Sequence, residues 1–298
     1  MARLPSLLQT RIEAMAAAFL DGPGLPRLDF TQPAGAPALF APDSVAWRVM
    51  KNPLALVIGG IAGVILELAE PRVRTGVWEH TRFREDPVGR MKRTGHAAMV
   101  TIYAPAQAAR ALIAGVSRRH GQVAGATPAG MAYAASDPEL LDWVQATASF
   151  GFLEAYRRFV RTLSPAECDR FYAEGAPAAA LYGATGAPRS SLEIEALFAR
   201  MRSKLERSDI VLEFLSILGA APILPVRSLQ SLCIRAAVEI TPDWARDILG
   251  LAKSYGLPPG GEITLRALGA AADRLALYNA PPAQACVRLG LPGDYLYR

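Results

Sequence analysis

Residues 137–163 read DPELLDWVQATASFGFLEAYRRFVRTL, and the reading of this stretch decides the fold class. Asp137 has the short acceptor side chain that caps a helix N-terminus, and Pro138 supplies a preset φ at the first helical position, where no N–H is needed. Leu141, Gln145, Ala148, Phe152, Ala155 and Phe159 then recur at helical spacing on one face. The stretch predicts one long amphipathic helix. That face puts the Gln145 amide among core side chains, where an unpaired amide is costly. Gln145 is therefore expected to bond to a backbone carbonyl, a histidine or a ligand.

The same punctuation recurs on both sides. Ser164-Pro165 predicts the start of a further helix, and Ser190 or Ser191 precedes another with acids in its first turn. Helical periodicity continues over about 210–218, 226–239, 242–251, 263–278 and 282–289. Upstream, 54–66 is 13 residues without charge, bounded by Pro53 and Glu67. A bilayer span needs roughly 20 residues, so this is expected to be a buried core helix and no transmembrane segment is predicted. Gly59 and Gly63 lie four apart on one of its faces, beside Gly60. A strip without side chains admits either a tightly packed helix or a flat ligand. Residues 105–119 form another helical pattern, with Ala106, Ala109, Ile113 and Val116 on one stripe and Arg118, Arg119 and His120 at its end. Cations suit a helix C-terminus, and Gly121 is expected to take the left-handed position after it. Strict alternation and Asn-Gly turns are missing, and the Pro- and Gly-rich segments 21–42 and 175–188 are expected to be loops. The prediction is an all-α chain with 1–298 as a single helical domain, its motif-bearing core at about 43–220 and C-terminal helices over 221–298.

Composition narrows the function. With 51% apolar residues and a net charge of +5 from 32 Lys+Arg against 27 Asp+Glu, the chain can bury a large core and is not a disordered or collagen-like sequence. The pI of about 9.3 suggests nucleic acid only superficially, because the arginines of 82–90 and 202–207 are interleaved with acids, as on a solvated surface. No nucleic-acid partner is predicted. Cys168, Cys233 and Cys286 are scattered, with no C-x-x-C spacing, which excludes a zinc ribbon and fits a reducing compartment. Residues 1–21 lack a clean apolar run and cleavage site, and read as an amphipathic first helix, so the expected location is cytoplasmic. Oligomeric state has no sequence signal.

The catalytic options are few. There are three histidines, His80, His96 and His120, and no H-E-x-x-H, G-x-S-x-G or G-x-x-x-x-G-K-[ST] string. His120 at its helix end is either a C-terminal cation or a metal or haem ligand facing the core. In DPVGRMKRTGHAAM, Arg90 and Thr94 share a helical face and Arg93 flanks it. Such a trio either decorates the surface or presents two guanidiniums and a hydroxyl to a carboxylate or a polar oxygen species.

Taken in order, LELAEPRVRTGVWEHTRFREDPVGRMKRT at 66–94, H-x-x-V-x-G at His120, Val123 and Gly125, and Tyr133-Ala-Ala-Ser-Asp-Pro-Glu-Leu-Leu-x-Trp-Val resemble the MpaB-type oxygenase family, which includes the latex-clearing rubber oxygenases. The resemblance implies a globin-like helical core holding haem b and using dioxygen on a hydrophobic, isoprenoid-like small molecule. It implies that His120 is the proximal iron ligand and that Arg90, Arg93 and Thr94 line the distal side. It also implies a distal glutamate as base, for which Glu79 is the first candidate, with Glu70 and Glu67 behind it. Gly59 and Gly63 are carried as candidate cofactor contacts, and so is Gln145. The chain departs from the family pattern at Ala124, commonly arginine, and at Gln145, commonly histidine; a glutamine can exchange hydrogen bonds but cannot titrate near neutrality. The alternative is a haem-free protein of the same fold that binds a lipid-like ligand or a partner.

Overall fold

In a computed structural model, which describes residues 28–298, thirteen α-helices and one short hairpin follow each other along the chain. The expected first helix at 1–21 lies outside the described residues. The helices are α1 (Val45–Met50), α2 (Pro53–Glu67), α3 (Pro71–His80), α4 (Pro87–Tyr103), α5 (Ala106–His120), α6 (Pro138–Phe159), α7 (Pro165–Tyr182) and α8 (Ser191–Met201). They continue as α9 (Asp209–Ala220), α10 (Arg227–Ile240), α11 (Asp243–Leu249), α12 (Gly261–Asp273) and α13 (Pro281–Arg288). The class is all-α, as the periodicity predicts.

The capping chemistry works as the side chains dictate. Asp137 accepts from the Glu139 N–H, and Ser164 forms a reciprocal capping box with Glu167. Asn52 caps α2 by accepting from both Leu54 and Ala55. Each such cap satisfies one or two of the orphan N–H groups of a first turn and is worth roughly 1 kcal/mol.

Helices α2 and α6 form the central pair, with the most extensive contact in the molecule. Glycine makes it possible. A Cβ on Gly59 would stand 2.6 Å from Phe152 Cα, one on Gly63 3.2 Å from Ala148 Cα, and one on Gly151 2.3 Å from the Gly59 carbonyl oxygen. The backbones therefore touch, and the glycine strip is occupied by a helix. Of the two readings open in the sequence, Gly59 and Gly63 take the packing one and are not available as contacts for a flat cofactor. Around this pair, α10 and α12 close one side, and α1 and α7 close another. One contiguous apolar core runs from Phe30 to Cys286, so the helices after 221 share it.

Three local expectations differ from what is observed. Helix α7 runs to Tyr182 through Pro177, so the predicted loop at 175–188 begins only at Gly183, whose φ of +98° ends the helix. Alanines 176, 178 and 179 are buried, and their packing and helix propensity offset the roughly 3 kcal/mol that an interior proline costs. Gly121 is right-handed at φ −62°, because the chain continues through a turn into a hairpin instead of stopping. That hairpin pairs Ala124–Ala126 with Ala132–Ala134, too short for alternation to show in sequence. It lies against α3, with the Tyr133 ring over Gly125 and against Gly76; a Cβ on Gly125 would meet the phenol oxygen at 2.7 Å. Among the described residues no single helix is long and apolar enough to cross a membrane; α2 and α3 pass only as a pair bent by 113°.

Candidate functional site

The site is built on the face of α2 next to the glycine strip. Gly60, Val64 and Glu67 follow at i, i+4 and i+7, and each is half-buried in a helix whose other residues from Ile58 on are buried. On α6 the matching stripe is Gln145, Ser149 and Phe152, also half-buried. The two stripes adjoin where a Cβ on Gly60 would lie 3.8 Å from the Phe152 ring. They form a partly open wall of apolar and polar residues with one carboxyl at its end.

That carboxyl is strongly perturbed. Burial pushes the Glu67 carboxyl up to about 7, and the nearby Arg90 guanidinium on α4 only partly opposes the rise. Burial also lowers Arg90, against the field of Glu67. Both side chains keep some accessible surface while being heavily desolvated, which is the condition of groups lining a recess. Arg90 donates from Nη1 to the Thr94 hydroxyl, and that hydroxyl in turn donates to the Arg90 carbonyl at 3.1 Å. The i, i+4 spacing thus orients the guanidinium. Arg93 goes elsewhere: its Nη1 lies 3.2 Å from Asp86, the N-cap of α4, in an exposed pair.

His120, at the C-terminus of α5, reaches the same electrostatic neighbourhood. Burial lowers its pKa, and the positive fields of Arg90 and Arg119 lower it further, so the neutral imidazole is favoured. Its Nδ1 is buried without a hydrogen-bond partner, and so is the hydroxyl of Ser117 one turn earlier. Two buried polar atoms without a partner among the described residues thus lie at one helix end.

The remaining candidates are placed plainly. Glu79 is exposed on α3, and Glu70 is buried but committed as the N-cap of α3 and as partner of Arg72 at 2.6 Å. The structure therefore brings Glu67, and neither of the other two, beside Arg90. Gln145 donates to Ser149 Oγ at 3.1 Å, within its own helix and not to a histidine. His80 lies 3.1 Å from the Tyr133 hydroxyl, which fixes the hairpin on α3, and His96 is buried with Nε2 unpartnered. Sequence reasoning missed the rank of Glu67, although an acid closing an apolar run seven residues after a glycine was visible. Ser117 gave no signal.

Among the described residues no group of three or more His, Cys, Asp and Glu side chains is placed to hold a metal ion. A comparison with curated proteins finds no match, and neither does one with solved structures. Comparison with family models does: residues 47–274 match the family described as ER-bound oxygenase mpaB/B'/Rubber oxygenase, catalytic domain. The matched range is about three-quarters of the chain and contains every residue of the recess. On its sequence motifs, its helical architecture and this match, the chain belongs to the mpaB/rubber oxygenase catalytic-domain family.

Proposed function

We propose that the protein is a haem b-dependent oxygenase that uses dioxygen on a hydrophobic, isoprenoid-like small molecule, with His120 as the axial ligand. The observation that carries this reading is the end of α5, where a neutral imidazole with an orphaned Nδ1 lies in the field of the desolvated Arg90, which in turn acts on Glu67. Neutral imidazole is the form that donates to iron. A single imidazole holds a bare ion poorly, whereas a porphyrin contributes four nitrogens of its own, so the donor set fits haem. No C-x-x-C-H string is present, which points to non-covalent attachment.

Haem, when bound, supplies the iron at which dioxygen is activated. The chain supplies the surroundings. Arg90, oriented by Thr94, offers guanidinium donors to a polar oxygen in the recess. Glu67 titrates close to neutral pH, so it can take up or release a proton there, as a general acid or base requires. Gly60, Val64 and Phe152 give the recess an apolar wall, which favours an apolar substrate and keeps water out. Three unpaired, buried cysteines support a reducing compartment such as the cytoplasm.

The test is an absorption spectrum of the purified chain after growth with a haem precursor, alongside His120→Ala. A Soret band lost in the variant is expected. A parent chain that stays colourless and fails to take up hemin overturns the haem reading and leaves the second one, a haem-free binder of lipid-like ligands. Gln145 favours that second reading, since it is tied to Ser149 where the family commonly has histidine.

A further inference from the structure

A second cleft is lined by Lys51, just before the N-terminal end of α2 and so at the end opposite Glu67. At ~1.5 Å per residue, the helix separates the two by roughly 22 Å. The cleft measures about 860 Å3 and lies where α1, the end of α6, the end of α12 and the C-terminal residues meet. Its volume is in the range of small-molecule sites.

Charge distinguishes it. Five cationic side chains line the cleft, Arg48, Lys51, Arg161, Arg274 and Arg298, against the two acids Asp43 and Asp273. Three of the cations are neutralised: Arg48 by Glu167 at 2.9 Å, Lys51 by Asp273 at 3.0 Å, and Arg298 by Asp294 at 2.8 Å. Both acids are engaged as well, Asp43 by Arg170 at 3.1 Å and Asp273 by Lys51 and the Tyr156 hydroxyl. Arg161 and Arg274 are left with no carboxylate among the described residues, and both are accessible. The Arg161 field is felt at the base of the cleft, where it lowers Lys51 together with burial, the larger cause. The buried Lys51, with its ammonium 4.6 Å from the Tyr297 ring centroid, makes a rigid floor. Tyr295 stands at the rim with its ring partly exposed.

We propose that this cleft binds an organic anion whose carboxylate or phosphate group is held by Arg161 and Arg274, with the organic portion against Tyr295. Guanidinium forks match both kinds of anionic group, and two unneutralised arginines lining one cleft gain the charge partner that the fold does not provide. The proposal is independent of what the His120 recess binds.

Isothermal titration of the full chain at low ionic strength, with phenyl phosphate in one arm and benzoate in the other, tests it. Saturable one-to-one binding of at least one probe is expected, and the stronger arm identifies the group. Arg161→Ala and Arg274→Ala should each weaken binding at least tenfold, and the double variant should lose it. Both side chains are exposed and unpaired, so circular dichroism should match the parent. Arg110→Ala removes an exposed charge on α5, away from the cleft, and should change nothing. The absence of saturable binding by either probe overturns the proposal, as does undiminished binding by the double variant. Equal weakening by Arg110→Ala also overturns it, by showing attraction to overall charge alone.

Discussion

Glu67 at the end of α2 and Arg90 on α4 are opposite charges in one recess, yet burial outweighs their attraction: the carboxyl rises to about 7 and the guanidinium is lowered. Were the attraction dominant, the carboxyl would fall below its ordinary 4.5. The pair is therefore held at a cost that the core of α2 offsets, and that cost gives the site a group able to exchange a proton near neutrality.

Stability should depend on pH through Glu67. The native carboxyl binds its proton more tightly than the unfolded one, so its contribution is fully present below pH 4.5 and is lost as pH rises towards 7. Glu67→Gln should flatten that fall and leave the variant more stable than the parent at pH 8, by about 3 kcal/mol. Urea denaturation at pH 5 and pH 8 measures it; parallel pH dependence in the two proteins would show that Glu67 does not titrate near 7. Oxygen-dependent turnover in the same variant should drop, since a glutamine cannot exchange the proton.

Gly59→Ala and Gly151→Ala should each destabilise the chain by about 3 kcal/mol, because the added methyl meets backbone that cannot turn aside. Gly60→Ala is the control. Its Cβ finds 3.8 Å to the Phe152 ring, and replacing a mid-helix glycine by alanine should stabilise by about 0.5–1 kcal/mol. Thermal melts separate the cases, and equal effects at positions 59 and 60 would contradict the close approach of α2 and α6.

Haem content should follow His120 alone. His120→Ala should lose stable haem, whereas His80→Ala and His96→Ala should keep it, since His80 is engaged with Tyr133 and His96 stands outside the H-x-x-V-x-G string. Pyridine hemochrome stoichiometry, with circular dichroism as the folding control, reads this out. A folded His120→Ala protein with full haem would move the ligand elsewhere.

Thr94→Ala should alter carbon monoxide-bound spectra while sparing haem content, because Arg90 loses the hydroxyl that orients it; Thr94→Ser should restore the parent spectrum. Arg93→Ala should leave the spectra unchanged, as its partner is Asp86 at the surface, a pair worth roughly 0.2–1 kcal/mol. Spectral changes of equal size in Arg93→Ala and Thr94→Ala would place both arginines in the recess.

Much of the fold was legible because its signals are local. Asp137-Pro138, Ser164-Pro165 and Ser190 cap the helices they predict, since a cap needs only a short acceptor and the next few N–H groups. Where the expectation failed, a neighbour decided. Pro177 stays inside α7 because buried alanines hold the helix around it, and the pairing of Ala124–Ala126 depends on Tyr133 and α3.

The sequence by itself determined the helical class, the family motifs, the one-face placement of Arg90 and Thr94, and the position of His120 at a helix end. Each follows from periodicity or spacing within a single element. Only the tertiary structure decided that the glycines of α2 serve α6 and that Glu67 and not Glu79 adjoins Arg90. These are contacts between elements, and their energies arise from close backbone approach and from desolvation. Both depend on what stands on the far side of a residue, which no spacing along one chain can state.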